Sequence, residues 1–445
     1  MKKERDILNT KILVIQITRM GDILQSYPLL KDIKQQYPDS DVHILINNVF
    51  CEIADIMKEF TFLNIDLNKI NDSQSYFIEV IDNINTIDFD IVFNLNNSPI
   101  AKNIFNKIKA TQKLGFASEN YDNLEWAAFV TSFLKNRKLN TINLVDIFRR
   151  FLHSQTNYDK PLLKKEKSIA LQCGARNIKR QFEIQHYLDI ISYFQDKHYK
   201  IYLLGTSPEL PLTDKIFTRL NNKNNIENLV GKTSILELKN VINKCEHLFT
   251  PDTGTMHLSA FCNTPFTAFF CGPAYPFETL GYIEKANFIM PDSSFFKCYP
   301  CNDESSCPYG LLCHKFSFRA YLNGDIQADF ITGKTYYDRL GQNLSFNGQD
   351  DDYQYASLWR QFAKYYFFSI KEDEIHLDNK LKVNISRELI LWNKLKDNNQ
   401  LLNLVDNFEF IAPLIFFKII LKDSNLPDIA IKFFKDILKG TDYDG

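Results

Sequence analysis

The run Lys11-Ile-Leu-Val-Ile-Gln-Ile-Thr-Arg-Met-Gly-Asp22 passes from an apolar, β-rich stretch into polar residues, and a helical pattern begins at once and continues to about Tyr37. A chain that starts this way has few architectures open to it. Consecutive apolar residues without alternation mark a buried strand, of the kind found in a parallel sheet covered by helices. Polar groups at the carboxyl end of such a strand stand at the sheet edge where open α/β folds bind their ligands. Gly21 permits a close approach there, and Asp22 presents a carboxylate. The plainer alternative is that Asp22 only caps the following helix, so the remainder of the chain has to decide.

The pattern recurs. Residues 11–17, 42–46 and 90–95 read as strands, with a helix over 22–36 between the first two, which is βαβ logic. A second series opens at Ser168-Ile-Ala-Leu-Gln-Cys173 and continues with a helix near 184–195 and strands at 200–204 and 246–250. Lys160-Pro161 and the polar Lys164-Lys165-Glu166-Lys167 read as the connection between the halves. With 445 residues the chain exceeds one ordinary core. The expected division is 1–160, 161–325 and a helical appendage, 326–445, the last from aromatic patterns at 353–368, 385–395 and 428–438.

Composition narrows the function classes. A formal net charge of -2 supplies no broad basic field, so no nucleic acid is expected as a partner. The polar opening Met1-Lys-Lys-Glu-Arg-Asp6 lacks the apolar core of a secretory signal. The late apolar run 410–421 contains Pro413 and Lys418 and falls short of the roughly 20 residues that span a bilayer. A cytoplasmic protein is expected, with at most peripheral membrane contact. Lys102, Lys107, Lys109 and Lys113 with Ile104, Phe105 and Ile108 could supply a modest amphipathic patch, although a solvated helix face is the plainer reading.

Three further strand ends carry chemistry. In Phe249-Thr-Pro-Asp252-Thr253-Gly254-Thr255-Met-His257 a strand stops, a turn follows and a helix begins. Free N–H groups from Gly254 to Met256 and the positive end of the helix dipole form an anion site suited to a diphosphate, with the Thr hydroxyls as added donors. An ordinary capping turn is the alternative, and His257 alone reads as a packed core residue. Leu171 to Phe182 brings Arg176, Lys179 and Arg180 to a second strand end, either to neutralise a leaving phosphate or as a solvated charged loop. Leu203-Leu-Gly205-Thr-Ser-Pro-Glu209 ends a third strand with a carboxylate able to accept from a ribose.

These pieces in this order resemble the family 9 glycosyltransferases, the ADP-heptose:lipopolysaccharide heptosyltransferases and their relatives, including the type that modifies autotransporter proteins. The likeness spans roughly residues 11–290 and rests on Arg19-Met-Gly21-Asp22 with Ser26-Tyr-Pro28, Lys179-Arg180, Gly205 to Glu209, Asp252 to His257, and Phe270-Cys-Gly272-Pro273. It implies an α/β protein of the GT-B fold, two facing Rossmann-like domains, the acceptor held mainly by the first and a nucleotide-sugar donor by the second. It further implies Asp22 as the base that deprotonates the acceptor hydroxyl during inversion, and Lys179, with Arg180, as the cation that stabilises the departing nucleoside diphosphate. Asp252, Thr253, Gly254 and Thr255 would form the phosphate site, His257 would line it, and Glu209 would contact the ribose. No cofactor is then required for the chemistry, because fixed cations and a helix dipole replace a divalent ion. The implied donor is ADP-heptose or a related nucleotide sugar, and the acceptor a glycan or a protein. Gln181-Phe182 departs from the Trp-Pro often found in relatives, and the helical tail is not part of the usual minimal enzyme. A non-catalytic nucleotide- or metal-binding scaffold is the alternative, against which stand Asp22 and Lys179.

Nine cysteines include four within 298–313: Cys298, Cys301, Cys307 and Cys313. A C-x2-C start in a reducing compartment suits a tetrahedral zinc or iron better than disulfides, although C-x2-C-x5-C-x5-C is no standard zinc-ribbon spacing, and reduced cysteines in a loop are the alternative. The resemblance supports a structural metal, since autotransporter heptosyltransferases bind iron through such cysteines. The cysteines and the tail together point towards a protein acceptor or a homo-oligomer.

Overall fold

A computed structural model describes residues 10–133, 136–153, 165–284, 286–301, 307–347, 351–370, 379–394, 410–415 and 425–438. The expected boundary at 160 and the N-terminal hexapeptide lie outside these residues.

The first sheet is wholly parallel and contains β1 (Lys11–Ile15), β2 (Asp41–Asn47), β3 (Thr61–Ile65), β4 (Phe89–Asn94) and β5 (Ala110–Gly115) in the order β3-β2-β1-β4-β5. β1 is central, in register with β2 (Lys11 opposite Asp41) and β4 (Ile12 opposite Ile91). Its Ile12 to Ile15 are fully buried on both faces, which is why the strand shows no alternation. The helix expected over 22–36 is two, Met20–Gln25 and Tyr27–Gln36. Pro28 has no N–H to continue the ladder, and its ring crowds the carbonyl four residues back, so the axis breaks at Ser26. The helix Pro99–Lys107 turns Ile104 and Phe105 into the core behind this sheet, and Ile108 follows them. The amphipathic patch considered for membranes is thus a core face. No helix among the described residues is long and apolar enough to cross a membrane.

The second sheet runs β13-β12-β11-β10-β9-β6-β7-β8, from β6 (Glu166–Gln172), β7 (Lys200–Leu204), β8 (Ile226–Asn228), β9 (Cys245–Pro251), β10 (Phe266–Phe269), β11 (Asn287–Pro291), β12 (Phe330–Tyr337) and β13 (Gln342–Asn347). Strands β6 to β11 are parallel, whereas β12 and β13 add antiparallel. The tail expected to be helical from 326 therefore opens with two strands. Gly333 supports them, because a Cβ there would lie 2.3 Å from the Ser345 carbonyl and 2.6 Å from the Phe288 ring.

The chain divides into two compact units. One contains both sheets; the other combines 118–142 and 339–341 with 349–445. This second unit is an aromatic helical cluster. The helix Tyr121–Ser132 brings Trp126 and Phe129, and the helices Asp351–Phe368 and Leu426–Leu438 bring Trp359, Phe362 and Phe434. The buried Trp359 indole donates to the Phe410 carbonyl at 3.0 Å, and Arg360 reaches back to the Thr141 carbonyl at 2.6 Å. The late apolar run is buried over Phe410 to Ile415, and 416–421 lie outside the described residues.

Candidate functional site

The first sheet delivers its polar groups at the carboxyl ends of β1 and β4. Gln16, Asn94 and Asn96 are buried there. The Ile17 N–H donates to Asn96 Oδ1 at 2.8 Å, the Asn94 amide donates to the Phe116 carbonyl at 2.8 Å, and Thr18 donates to Gln16 Oε1 at 2.7 Å. This network holds the strand ends rigid beneath Asp22. The sequence reading passed over these three residues, although each is a polar interruption at the end of an apolar strand, the signal that singled out Asp22. The Asp22 carboxylate stands in the first turn of Met20–Gln25 and accepts from the Arg19 backbone N–H at 3.3 Å and from Gln25 Nε2 at 3.4 Å. Both contacts are long, so capping occupies the carboxylate only lightly.

Facing it is the start of the helix Gly254–Phe261, which follows β9. The two helix starts meet glycine to glycine. A Cβ on Gly21 would lie 2.7 Å from His257 Cδ2 and 3.6 Å from Gly254 Cα, and one on Gly254 would lie 2.5 Å from Met20 Cε. A side chain at Gly21 would crowd the buried His257 ring, whereas one at Gly254 would meet only the flexible end of Met20. This approach brings Asp22 and Arg19 within electrostatic reach of Asp252. Asp252 is buried and pairs with Arg180 Nη1 at 2.7 Å; burial pushes its carboxyl above the ordinary value, and Arg180 opposes that push.

Thr253 is the N-cap residue, with its hydroxyl 3.2 Å from that of Thr250. Thr255 donates to the side chain of Gln172, at the end of β6, at 2.7 Å. The Thr255 hydroxyl is thus engaged with the protein, which leaves the helix-start amides as the anion donors. Gln172 is a fourth residue the sequence reading missed. His257 is buried and Nδ1 has no hydrogen-bond partner among the described residues; burial lowers its pKa to about 3. With Gln25, whose Oε1 is likewise unpartnered among these residues, it lines a small recess beside Tyr27 and Phe261.

Lys179 and Arg180 form a 3₁₀ turn, Ile178–Arg180, after β6. Lys179 is 4% exposed, not a solvated surface cation. Arg180, expected at the donor phosphates, pairs with the buried Asp252 through Nη1. Arg176 stays on the loop outside this pairing. Glu209 lies one strand further along the same edge, packed on Gly174, where a Cβ would lie 2.3 Å from Glu209 Cγ. Its Oε2 accepts from the Thr206 N–H and hydroxyl, each at 2.6 Å, which leaves Oε1 for a ligand.

The four clustered cysteines are reduced: Cys298 is exposed, Cys301 and Cys307 are half-buried and Cys313 is buried. They lie in mutual electrostatic reach, and burial pushes the Cys313 thiol up to about 11. Among the described residues no group of three or more His, Cys, Asp or Glu side chains is arranged to hold a metal ion. Residues 302–306, between Cys301 and Cys307, lie outside the described residues, and no step is routed through a metal.

His186 and His257 give the protein an acid sensitivity. Burial lowers them to about 4 and about 3, below the ~6.5 of an unfolded chain. Their contribution is complete above pH 6.5 and is lost as the pH falls from there towards 4, since the unfolded chain then binds protons the fold refuses. Between pH 7.5 and 5.5 the pair removes about 3 kcal/mol of stability. Urea unfolding at the two pH values should show His257→Asn losing about 1.4 kcal/mol less than the unsubstituted protein; an unchanged loss would refute the assignment.

Comparison with known proteins follows the same lines. Residues 140–308 match the profile of Glycosyltransferase family 9 (heptosyltransferase). A lipooligosaccharide heptosyltransferase 2 of Campylobacter jejuni is 24% identical over 303 residues, 67% of this chain and 91% of that protein. A lipopolysaccharide heptosyltransferase 2 of Escherichia coli is 28% identical over 114 residues, 25% of this chain and 32% of that protein. The crystal structure of a family 9 glycosyl transferase from Veillonella parvula superposes with a TM-score of 0.54 at 17% identity, covering 72% of this chain and 98% of that one.

Proposed function

Because residues 140–308 match glycosyltransferase family 9 (heptosyltransferase), we propose that this chain transfers a heptose from an ADP-activated donor to a hydroxyl of a lipooligosaccharide-core glycan, with inversion. The observation that carries this reading is the meeting of Gly21 and Gly254, which sets a lightly held carboxylate, Asp22, against a helix start suited to phosphates.

In the proposed reaction the acceptor oxygen attacks the anomeric carbon and its proton passes to Asp22. The bond from that carbon to the phosphate oxygen breaks on the opposite face, and ADP leaves with the bonding electrons. Lys179 and the amides of Thr253, Gly254 and Thr255 take up the developing negative charge. Arg180 pairs with the buried Asp252, and in this reading that carboxylate accepts from hydroxyls of the transferred sugar. Glu209 Oε1 accepts from the ribose. His257, neutral near pH 7, packs beneath the helix start and supports it.

Calorimetry with ADP, UDP and GDP tests the donor. ADP is expected to bind at least tenfold more tightly than the other two, and ADP-heptose at least as tightly as ADP. A preference for UDP or GDP would move the donor assignment, and no binding by any of the three would remove it.

A further inference from the structure

Lys179 occupies a three-residue 3₁₀ turn, Ile178–Arg180, too short to hold its own position. What holds it comes from the end of the cysteine-rich segment. His314, 1% exposed, follows Cys313 directly, and its Nε2 lies 2.9 Å from the Lys179 carbonyl as a hydrogen-bond donor. The stitch is reciprocal. His186, on the helix Ile184–Asp196 that follows the lysine turn, lies within electrostatic reach of the backbone of His314 and Phe316, while its Nδ1 accepts from the Glu183 N–H at 3.3 Å. Lys315 pairs with Glu183 at 2.8 Å on the outside of the same seam.

The opposite side of the turn rests on Gly272, at φ +63°, where a Cβ would lie 2.7 Å from both the carbonyl oxygen and the Cβ of Lys179. The Gly272 carbonyl accepts from the Cys301 N–H at 2.9 Å, and the Cys313 thiol meets the same backbone. Lys179 is therefore clamped between Gly272 and His314, and both jaws are tied to the stretch from Cys301 to Phe316.

We propose that His314 is a positioning residue for Lys179, through which the cysteine-rich segment sets the affinity of the site for the donor diphosphate. This rests on the assignment of Lys179 to that diphosphate. A buried carbonyl with a fixed donor has one location. Without the donor it is left unsatisfied, and the turn moves to find another partner. Displacement of a binding cation by about 1 Å is enough to cost an order of magnitude or more.

The test is ADP affinity by calorimetry, with a thermal midpoint for every variant, on the full chain carrying Lys179→Ala, His314→Leu, His314→Gln, or Lys179→Ala with His314→Leu. His314→Leu is expected to weaken ADP binding about tenfold. His314→Gln, which retains an N–H donor, should recover most of it. In the Lys179→Ala background His314→Leu should add less than twofold, because the group it acts through is gone. Equal weakening in both backgrounds would reduce His314 to general stability and overturn the proposal. So would a folded His314→Leu protein with unchanged ADP affinity while Lys179→Ala weakens it. If Lys179→Ala itself binds ADP normally, the assignment of Lys179 fails, a separate result. Should His314→Leu not fold, Gly272→Ala reads the other jaw: loss of affinity that vanishes in the Lys179→Ala background supports the clamp, and additive loss overturns it.

Discussion

Asp22→Asn is expected to lower the rate of sugar transfer by 10²–10⁴-fold while leaving ADP affinity within about twofold. The substitution keeps the shape of the side chain and one carbonyl oxygen, enough for one of the two long contacts, which the Arg19 N–H makes to Oδ2 and Gln25 to Oδ1. It removes the negative charge and the ability to take a proton. The loss should therefore appear in kcat, with the donor site, built from the second sheet, undisturbed. Measuring ADP release from ADP-heptose with a truncated lipooligosaccharide core as acceptor would check it. Transfer at the wild-type rate would end the assignment of Asp22 as base and return it to a helix cap.

The second large effect is expected at Lys179. Lys179→Ala should reduce kcat by 10²–10³-fold, about 3–4 kcal/mol of transition-state stabilisation, because the charge on the leaving diphosphate grows as the bond breaks. ADP binding should weaken less than kcat falls, since the cation opposes more charge at the transition state than in the ground state. A fall in affinity that accounts for the whole rate loss would make Lys179 a binding residue with no share in the bond-breaking step. Lys179→Arg is not expected to restore activity, since a guanidinium is broader than the ammonium that this buried position holds.

Much of the fold was legible because strands buried on both faces, such as Ile12 to Ile15, write an unbroken apolar run, and each ends in a change of residue type at the site edge. What local pattern could not give were partners distant in sequence. Arg180 was legible as a cation beside Lys179, but its bond to Asp252 depends on two loops meeting. Glu209 was legible as a carboxylate at a strand end, but its capping of Thr206 uses one of its two oxygens. Phe330 to Tyr337 is rich in β-formers, but Gly333 and Lys334 interrupt the run, and β12 and β13 gain their pairing from the sheet they extend. The cysteines were conspicuous by spacing, which gave no hint that their backbone grips the Lys179 turn.

The pairing of 118–142 with 349–445 also bears on how the protein is made. Trp126 leaves the ribosome about 230 residues before Trp359. At 5–20 residues per second that is a wait of roughly 10–50 s for an aromatic helix whose partners have yet to be synthesised. The helical unit can close only once residues 349–438 have been made, so nascent chains halted before residue 349 should be cut by protease within 118–142 and chains extended past residue 438 should not. A stop codon at the end of β13 would leave that helix a permanent client for chaperones.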